Sequence, residues 1–235
     1  MKDIVSKVIR GYHFLRCYGV KDFFVRLKEK GEEQGITYDE WKKIHSLTEK
    51  QLQEQKKTAE SWGNKPFFRV VIRKELEEEI SPATLNSLKN QTYDQWTIEE
   101  NKQAAMLLFL KNGDVLEKHA LYTIACLSDE KDLIYYDDDK VTDVKGEPVP
   151  FFKPDYNLDL LRTENYFGTS FTVKSDFIEK AGLQEKFYNI TEKNRICEGI
   201  LDETQKVAEG EIQLYEFILC CIEHTECIGH ISDIL

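Results

Sequence analysis

From Phe67 onward the sequence alternates short apolar runs with segments of helical character, and a chain written this way folds as an α/β sheet domain. Phe67-Phe-Arg-Val-Val-Ile72 is too short for a buried helix and rich in branched residues, which suits a buried strand. Trp96-Thr-Ile98, Met106–Leu110, Leu133-Ile-Tyr-Tyr136 and Phe171-Thr-Val173 read as further strands. Between them, Ser81-Pro82 joins a cap to a first-turn proline and opens a helix that closes near Asn90. Asn112-Gly113 turns the chain, and Glu117–Leu127 is helical. Ser175 caps a short helix that Gly182 ends. Gln213–Glu223 is a helix with Leu214, Phe217, Cys220 and Cys221 facing inward.

The first 65 residues have a different texture. Ile4, Val8, Tyr12 and Leu15 share one helical face, as do Val20, Phe23, Phe24 and Leu27. Thr37-Tyr-Asp-Glu40 and Thr48-Glu-Lys-Gln51 are capping-box patterns, each opening a new helix. Residues 49–60 are polar almost all round, which reads as a solvated helix or a linker, and Trp62–Pro66 breaks the pattern. The expected division is an N-terminal helical leader over 1–65 and an α/β domain over 66–235.

Charge separates the same two parts. Residues 1–65 carry 14 Lys/Arg against 10 Asp/Glu, while 66–235 carry 18 against 33, for a net charge of −11. A body this acidic repels polyphosphate, which excludes nucleic acid as a partner. The basic first 30 residues suit an anionic membrane surface or a protein partner, and ordinary solvated helix charge explains them equally well. No stretch is long and apolar enough to span a bilayer, and Lys2, Asp3, Ser6 and Lys7 interrupt any secretory apolar core. The expectation is a cytoplasmic protein, peripheral to the inner membrane face if the basic segment binds lipid. Its six cysteines are then free thiols.

Three segments carry a resemblance. Asn90-Gln-Thr-Tyr-Asp-Gln-Trp96 resembles the turn after the first helix of family-2 glycosyltransferases. Asp132-Leu-Ile-Tyr-Tyr-Asp-Asp-Asp-Lys140 resembles the strand and acidic loop beyond their metal site. Phe152-Lys-Pro-Asp-Tyr-Asn-Leu-Asp-Leu-Leu-Arg162, with Asn165-Tyr166 behind it, is similar to the acceptor-side segment of the bacterial surface-polysaccharide, rhamnosyltransferase-like branch. The helices around Trp41 and Thr48 look like the leader that precedes such domains. The resemblance implies an A-type nucleotide-sugar fold, here truncated: a Rossmann-like sheet flanked by helices and preceded by a helical segment. It also implies a nucleoside-diphosphate-sugar donor, magnesium or manganese in any active form, and acceptor-side roles for Asp137, Asp138, Asp139, Lys153, Asp155 and Arg162.

Glycosyl transfer needs a cation to neutralise the leaving diphosphate, a nucleotide pocket and, in inverting enzymes, a carboxylate base. The family's Asp-x-Asp-type place reads Leu110-Lys-Asn-Gly-Asp-Val-Leu116, so Asp114 is the remaining metal ligand and Lys111 stands where a carboxylate is expected. A lysine repels a metal ion, although it can offset diphosphate charge itself. After the first strand, where the family has proline and a short polar loop, the chain reads Arg73-Lys-Glu-Leu-Glu-Glu-Glu79, and three consecutive glutamates beside a diphosphate are unfavourable unless they point away. A strand and helix are absent between Glu100 and Met106, which leaves Glu99 or Glu100 as the acids nearest a base. The catalytic motif reads Gln213-Leu-Tyr-Glu216: Leu214 holds the base position and Glu216 the second acid. The two are two apart on a helix and do not face the same way. Residues 187–211 read as an inserted mobile lid or a decayed loop. The run Asp137–Asp139 reads either as a cation-binding loop or as solvated charge. Cys221, His224, Cys227 and His230 lack the spacing of a standard zinc finger, and His230 sits in Ile228-Gly-His-Ile231, the strand where the resemblance resumes. Three functions stay open: a degenerate transferase-like partner module, an active transferase with altered residues, and a scaffold acting through residues 1–30.

Overall fold

The structure is a computed structural model that describes residues 37–74, 78–100, 103–141, 148–192 and 203–235. The chain divides into two compact units after Ser46. In the first, the described helix α1 (Tyr38–His45) opens on a complete capping box: Thr37 Oγ1 accepts from the Glu40 N–H at 3.3 Å, and the Glu40 carboxylate accepts from the Thr37 N–H at 2.8 Å. The two apolar faces read in residues 1–30 lie outside the described residues.

The second unit opens with α2 (Glu49–Glu60), whose capping box is made by Thr48 and Gln51. This helix is not solvated all round. Leu52 and Ala59 are buried, and Ala59 joins a core with Phe68, Leu88 and Tyr93. Trp62 then stacks on Tyr122 at 5.3 Å, which fixes where the chain enters the sheet.

Seven strands form an open Rossmann-like sheet: β1 (Phe68–Arg73), β2 (Trp96–Thr97), β3 (Met106–Lys111), β4 (Leu133–Val141), β5 (Pro148–Phe151), β6 (Phe171–Lys174) and β7 (Ile228–Ile234). Their order is β2-β1-β3-β6-β4-β5, with β7 on β4. The pairings β1–β2, β1–β3 and β4–β7 are parallel, and β6 runs antiparallel to both β3 and β4. Helices α3 (Pro82–Lys89), α4 (Ala120–Leu127), α5 (Leu158–Thr163), α6 (Ser175–Lys180), α7 (Gln184–Glu192) and α8 (Glu203–Ile222) complete the α/β architecture.

The central strands bury apolar side chains on both sides because both faces of the sheet are covered. Leu107, Phe109, Leu133 and Tyr135 pack with Ile178, Leu214, Phe217 and Ile218 on one face. Met106, Leu108, Ile134 and Tyr136 pack with Leu88, Leu121 and Ile124 on the other.

Several expectations need correction. β4 does not stop at Tyr136 but continues through Asp137–Asp139, so the acidic run is strand rather than loop. β5 was not expected at all. The helix expected from Glu117 begins at Ala120. Ser175 is the first residue of α6, and Lys174 holds the cap position without a side-chain bond. Within 187–211, expected as a lid or loop, α7 extends to Glu192 and α8 begins at Glu203, while 193–202 lie outside the described residues.

Candidate functional site

Since β6 is antiparallel to β3 and β4, strands β1, β3 and β4 run in one direction, with β7 alongside β4. Their carboxyl ends and the amino end of β6 therefore share one end of the sheet. β2 and β3 leave β1 on opposite sides, and such a reversal opens the crevice in which α/β sheets bind ligands. Arg73 ends β1, Lys111 ends β3 directly opposite it, Asp137 and Asp138 lie late in β4, and Ser170 precedes β6.

The turn after β3 is held internally. Gly113 takes φ +101°, which a side chain at Cβ disfavours. Asp114 Oδ2 accepts from the Lys111 N–H and from the Ser170 hydroxyl, both at 2.8 Å. Asn112 ties the turn to the start of α3, accepting from the Ser81 N–H at 2.8 Å and donating to the Glu79 carbonyl at 3.0 Å. The Gly113 N–H donates to Thr84 Oγ1. The Lys111 ammonium lies 3.1 Å from Glu211 Oε1 on α8, with both side chains 48% exposed. Burial pushes the Arg73 guanidinium below its ordinary range, and nearby Glu211 opposes that shift.

The acids of β4 build a second cluster beside the first. Asp137 is 3% exposed, and its Oδ1 accepts from the Lys153 N–H at 2.8 Å and lies 3.0 Å from His230 Nε2. His230 Nδ1 lies 3.0 Å from Asp155 Oδ1. Each ring nitrogen thus faces a carboxylate. Asp138 Oδ2 pairs at 2.9 Å with the Lys153 ammonium, which is fully buried and also donates to the Phe167 carbonyl at 3.0 Å. Burial pushes Lys153 down, against the pull of Asp138. Tyr136, on the opposite face of β4 from Tyr135, is sealed in the core. Burial raises its phenol, and Asp114 and Asp138 add to the shift, which places it between the two clusters.

The other anticipated residues lie apart. Glu99 is exposed in the turn after β2, where its N–H bonds Thr97 Oγ1. Arg162 is exposed in the last turn of α5. Asp139 pairs in register with Pro150 of β5. Leu214 is wholly buried with Phe217 and Ile218, while Glu216 is exposed and lines a cleft of about 210 Å³ with Lys186, Asn189, Ile190, Gln213 and Phe217. Cys221 is buried, His224 bonds the Cys220 carbonyl, Cys227 is exposed and His230 is held by two aspartates. The four do not converge as a zinc site would require.

The described residues at this end of the sheet do not assemble a site for a divalent cation. Asp114 is committed to its own turn, Lys111 stands beside it, and among the described residues no group of three His, Cys, Asp or Glu side chains is placed to hold a metal. Sequence reasoning missed Glu211, which falls in the segment read as a lid, and the link from His230 to Asp137. Nothing local in the sequence signals either, since the partners lie 100 and 93 residues apart.

No protein-family model matches the chain, and no curated protein does. Among solved structures it is similar to residues 1-349 of S. aureus TarS, crystallised in complex with UDP, at 14% identity and a TM-score of 0.43. The match covers 71% of this chain and 58% of that one, so the chain spans less than two thirds of that structure's length.

Proposed function

We propose that this chain is a degenerate glycosyltransferase-like domain that binds a nucleoside-diphosphate sugar without turning it over efficiently, and that it serves as a partner module in surface-polysaccharide assembly. The observation behind this reading is the state of the carboxylates that transfer would need. The position expected for the base is Leu214, wholly buried in the core, and the one acid at the metal position, Asp114, spends an oxygen on its own turn. Glu216 lies over a cleft on α8, where it does not replace Leu214. His230 has both ring nitrogens facing aspartates, which ties it into the fold. The likeness of residues 152–166 to the polysaccharide branch supports the choice of pathway class.

The test combines calorimetric titration of nucleoside diphosphates with an assay for nucleoside diphosphate released from the corresponding sugar nucleotides. The expected result is saturable binding with release no faster than in buffer. Turnover on the order of 1 s⁻¹, ordinary for an enzyme, overturns the claim of impairment. A folded sample that binds no nucleotide overturns the class itself.

A further inference from the structure

The end of β1 holds a cation that its surroundings only partly answer. Arg73 Nε is sealed from solvent and has no hydrogen-bond partner among the described residues. A buried polar group left this way is uncommon, and a buried charge more so. Lys111 is its register partner on β3, so the two side chains leave the same face of the sheet on strands about 4.8 Å apart. Among the described residues, the carboxylate of Glu211 is bonded to Lys111 at 3.1 Å and also acts on Arg73, while Asp114 is held by its own turn. The Lys111–Glu211 pair is half-exposed, and such pairs contribute little, so an incoming anion displaces it at little cost. Among the described residues, two cations and an exchangeable acid at the reversal of strand order suit a compact polyanion. The guanidinium suits it further, because its fork matches phosphate oxygens bidentately.

We infer that Arg73 and Lys111 neutralise a nucleotide diphosphate directly, in the place a divalent cation would take, with Glu211 as the counter-ion that the ligand displaces. This rests on the nucleotide-sugar reading above and replaces its metal. The lysine that makes the turn unfit for a cation is the group that binds the anion.

Uridine, guanosine and thymidine diphosphates, with inorganic pyrophosphate as a probe lacking the nucleoside, are titrated into the full chain by calorimetry, first in EDTA and then in manganese. At least one nucleotide is expected to bind with Kd values within about twofold of each other in the two buffers, and more weakly as salt rises. Lys111→Ala should weaken binding about tenfold, and Glu211→Gln should tighten it several-fold. Lys111 and Glu211 are half-exposed, so both variants should fold, and a thermal melt verifies this. Arg73→Lys, which keeps the charge and loses the fork, should weaken binding if the fork is used. Binding that requires manganese overturns the inference and leaves the nucleotide-sugar reading standing. Wild-type affinity in both Lys111→Ala and Arg73→Lys does the same. No binding of any probe to folded protein overturns both.

Discussion

The imidazole of His230 lies flat on the ring of Tyr135, with centroids 4.6 Å apart and planes 6° from parallel. The two residues are in register on adjacent parallel strands, and Phe167 stacks on the same tyrosine at 4.0 Å. The stack seats the histidine between Asp137 and Asp155. It joins the late half of β4 to the chain that follows β5. His230→Phe keeps the stack but leaves Asp137 Oδ1 with the Lys153 N–H alone, whereas His230→Ala loses both interactions. Urea denaturation should show a loss of about 1–2 kcal/mol for the first and about 2–4 kcal/mol for the second. Equal losses would mean that stacking contributes nothing.

Gln91 explains one of the recognisable segments in physical terms. It is 6% exposed; its amide donates to the Ser87 carbonyl at 3.0 Å and the Glu117 carbonyl at 2.8 Å, and accepts from the Leu121 N–H at 3.0 Å. One side chain thereby closes the end of α3 and the start of α4. Gln91→Leu preserves volume, strands the Ser87 carbonyl and the Leu121 N–H, and leaves the Glu117 carbonyl with the Ala120 N–H alone, so it should cost about 2–4 kcal/mol in chemical denaturation. A cost below about 1 kcal/mol would show that water replaces the amide.

Leu214→Asp places a carboxylate where an inverting transferase would carry its base, but the site is sealed among Phe217, Ile218 and Cys221. The variant should lose about 3–5 kcal/mol or fail to fold, while Glu216→Gln on the exposed side should stay within about 0.5 kcal/mol of the parent. A stable Leu214→Asp protein that gains transfer activity would contradict the placement of this helix.

Alkaline pH should unfold the protein early. Burial raises the Cys221 thiol above its ordinary 9.0 and the phenols of Tyr93, Tyr135 and Tyr136 above their ordinary 10.0. A raised folded value gives stability that is complete below the ordinary one. That stability falls as pH rises past it, because only the unfolded chain then releases protons. Lys153, held below its ordinary 10.5, has the opposite sign, and one such group does not balance four. The thermal midpoint should drop by roughly 5 °C or more between pH 8 and pH 10.5. A flat profile would mean that these groups ionise without unfolding.

The strands β1, β3, β4 and β6 were legible because their runs are mostly apolar, and such runs signal burial without any knowledge of partners, whereas β7 was placed through the resemblance. β5 was not legible, because Pro148 and Pro150 break the usual strand signal. Prolines are tolerated there since β5 pairs with β4 alone. The acidic half of β4 was misread for a different reason. Asp137 is buried only because Lys153 and His230 satisfy it, and the residues Asp137–Asp139 read alone look like solvated charge. Lys111 and Asp114 were found from the motif they interrupt. Arg73 and Glu211 became informative only once the register of β1 on β3 and the path of α8 were in hand.

The three pairings of β4, with β6, β5 and β7, set an order of assembly. β1 and β3 meet across a short connection, whereas Asp137 and His230 are separated by 93 residues, and loop closure must precede any return from such contacts. Pulse-labelled hydrogen exchange should therefore find the amides of β7 gaining protection late, after those of β1 and β3. Until they do, one edge of β4 stays open, and in that interval a growing or refolding chain is most exposed to pairing with the wrong strand.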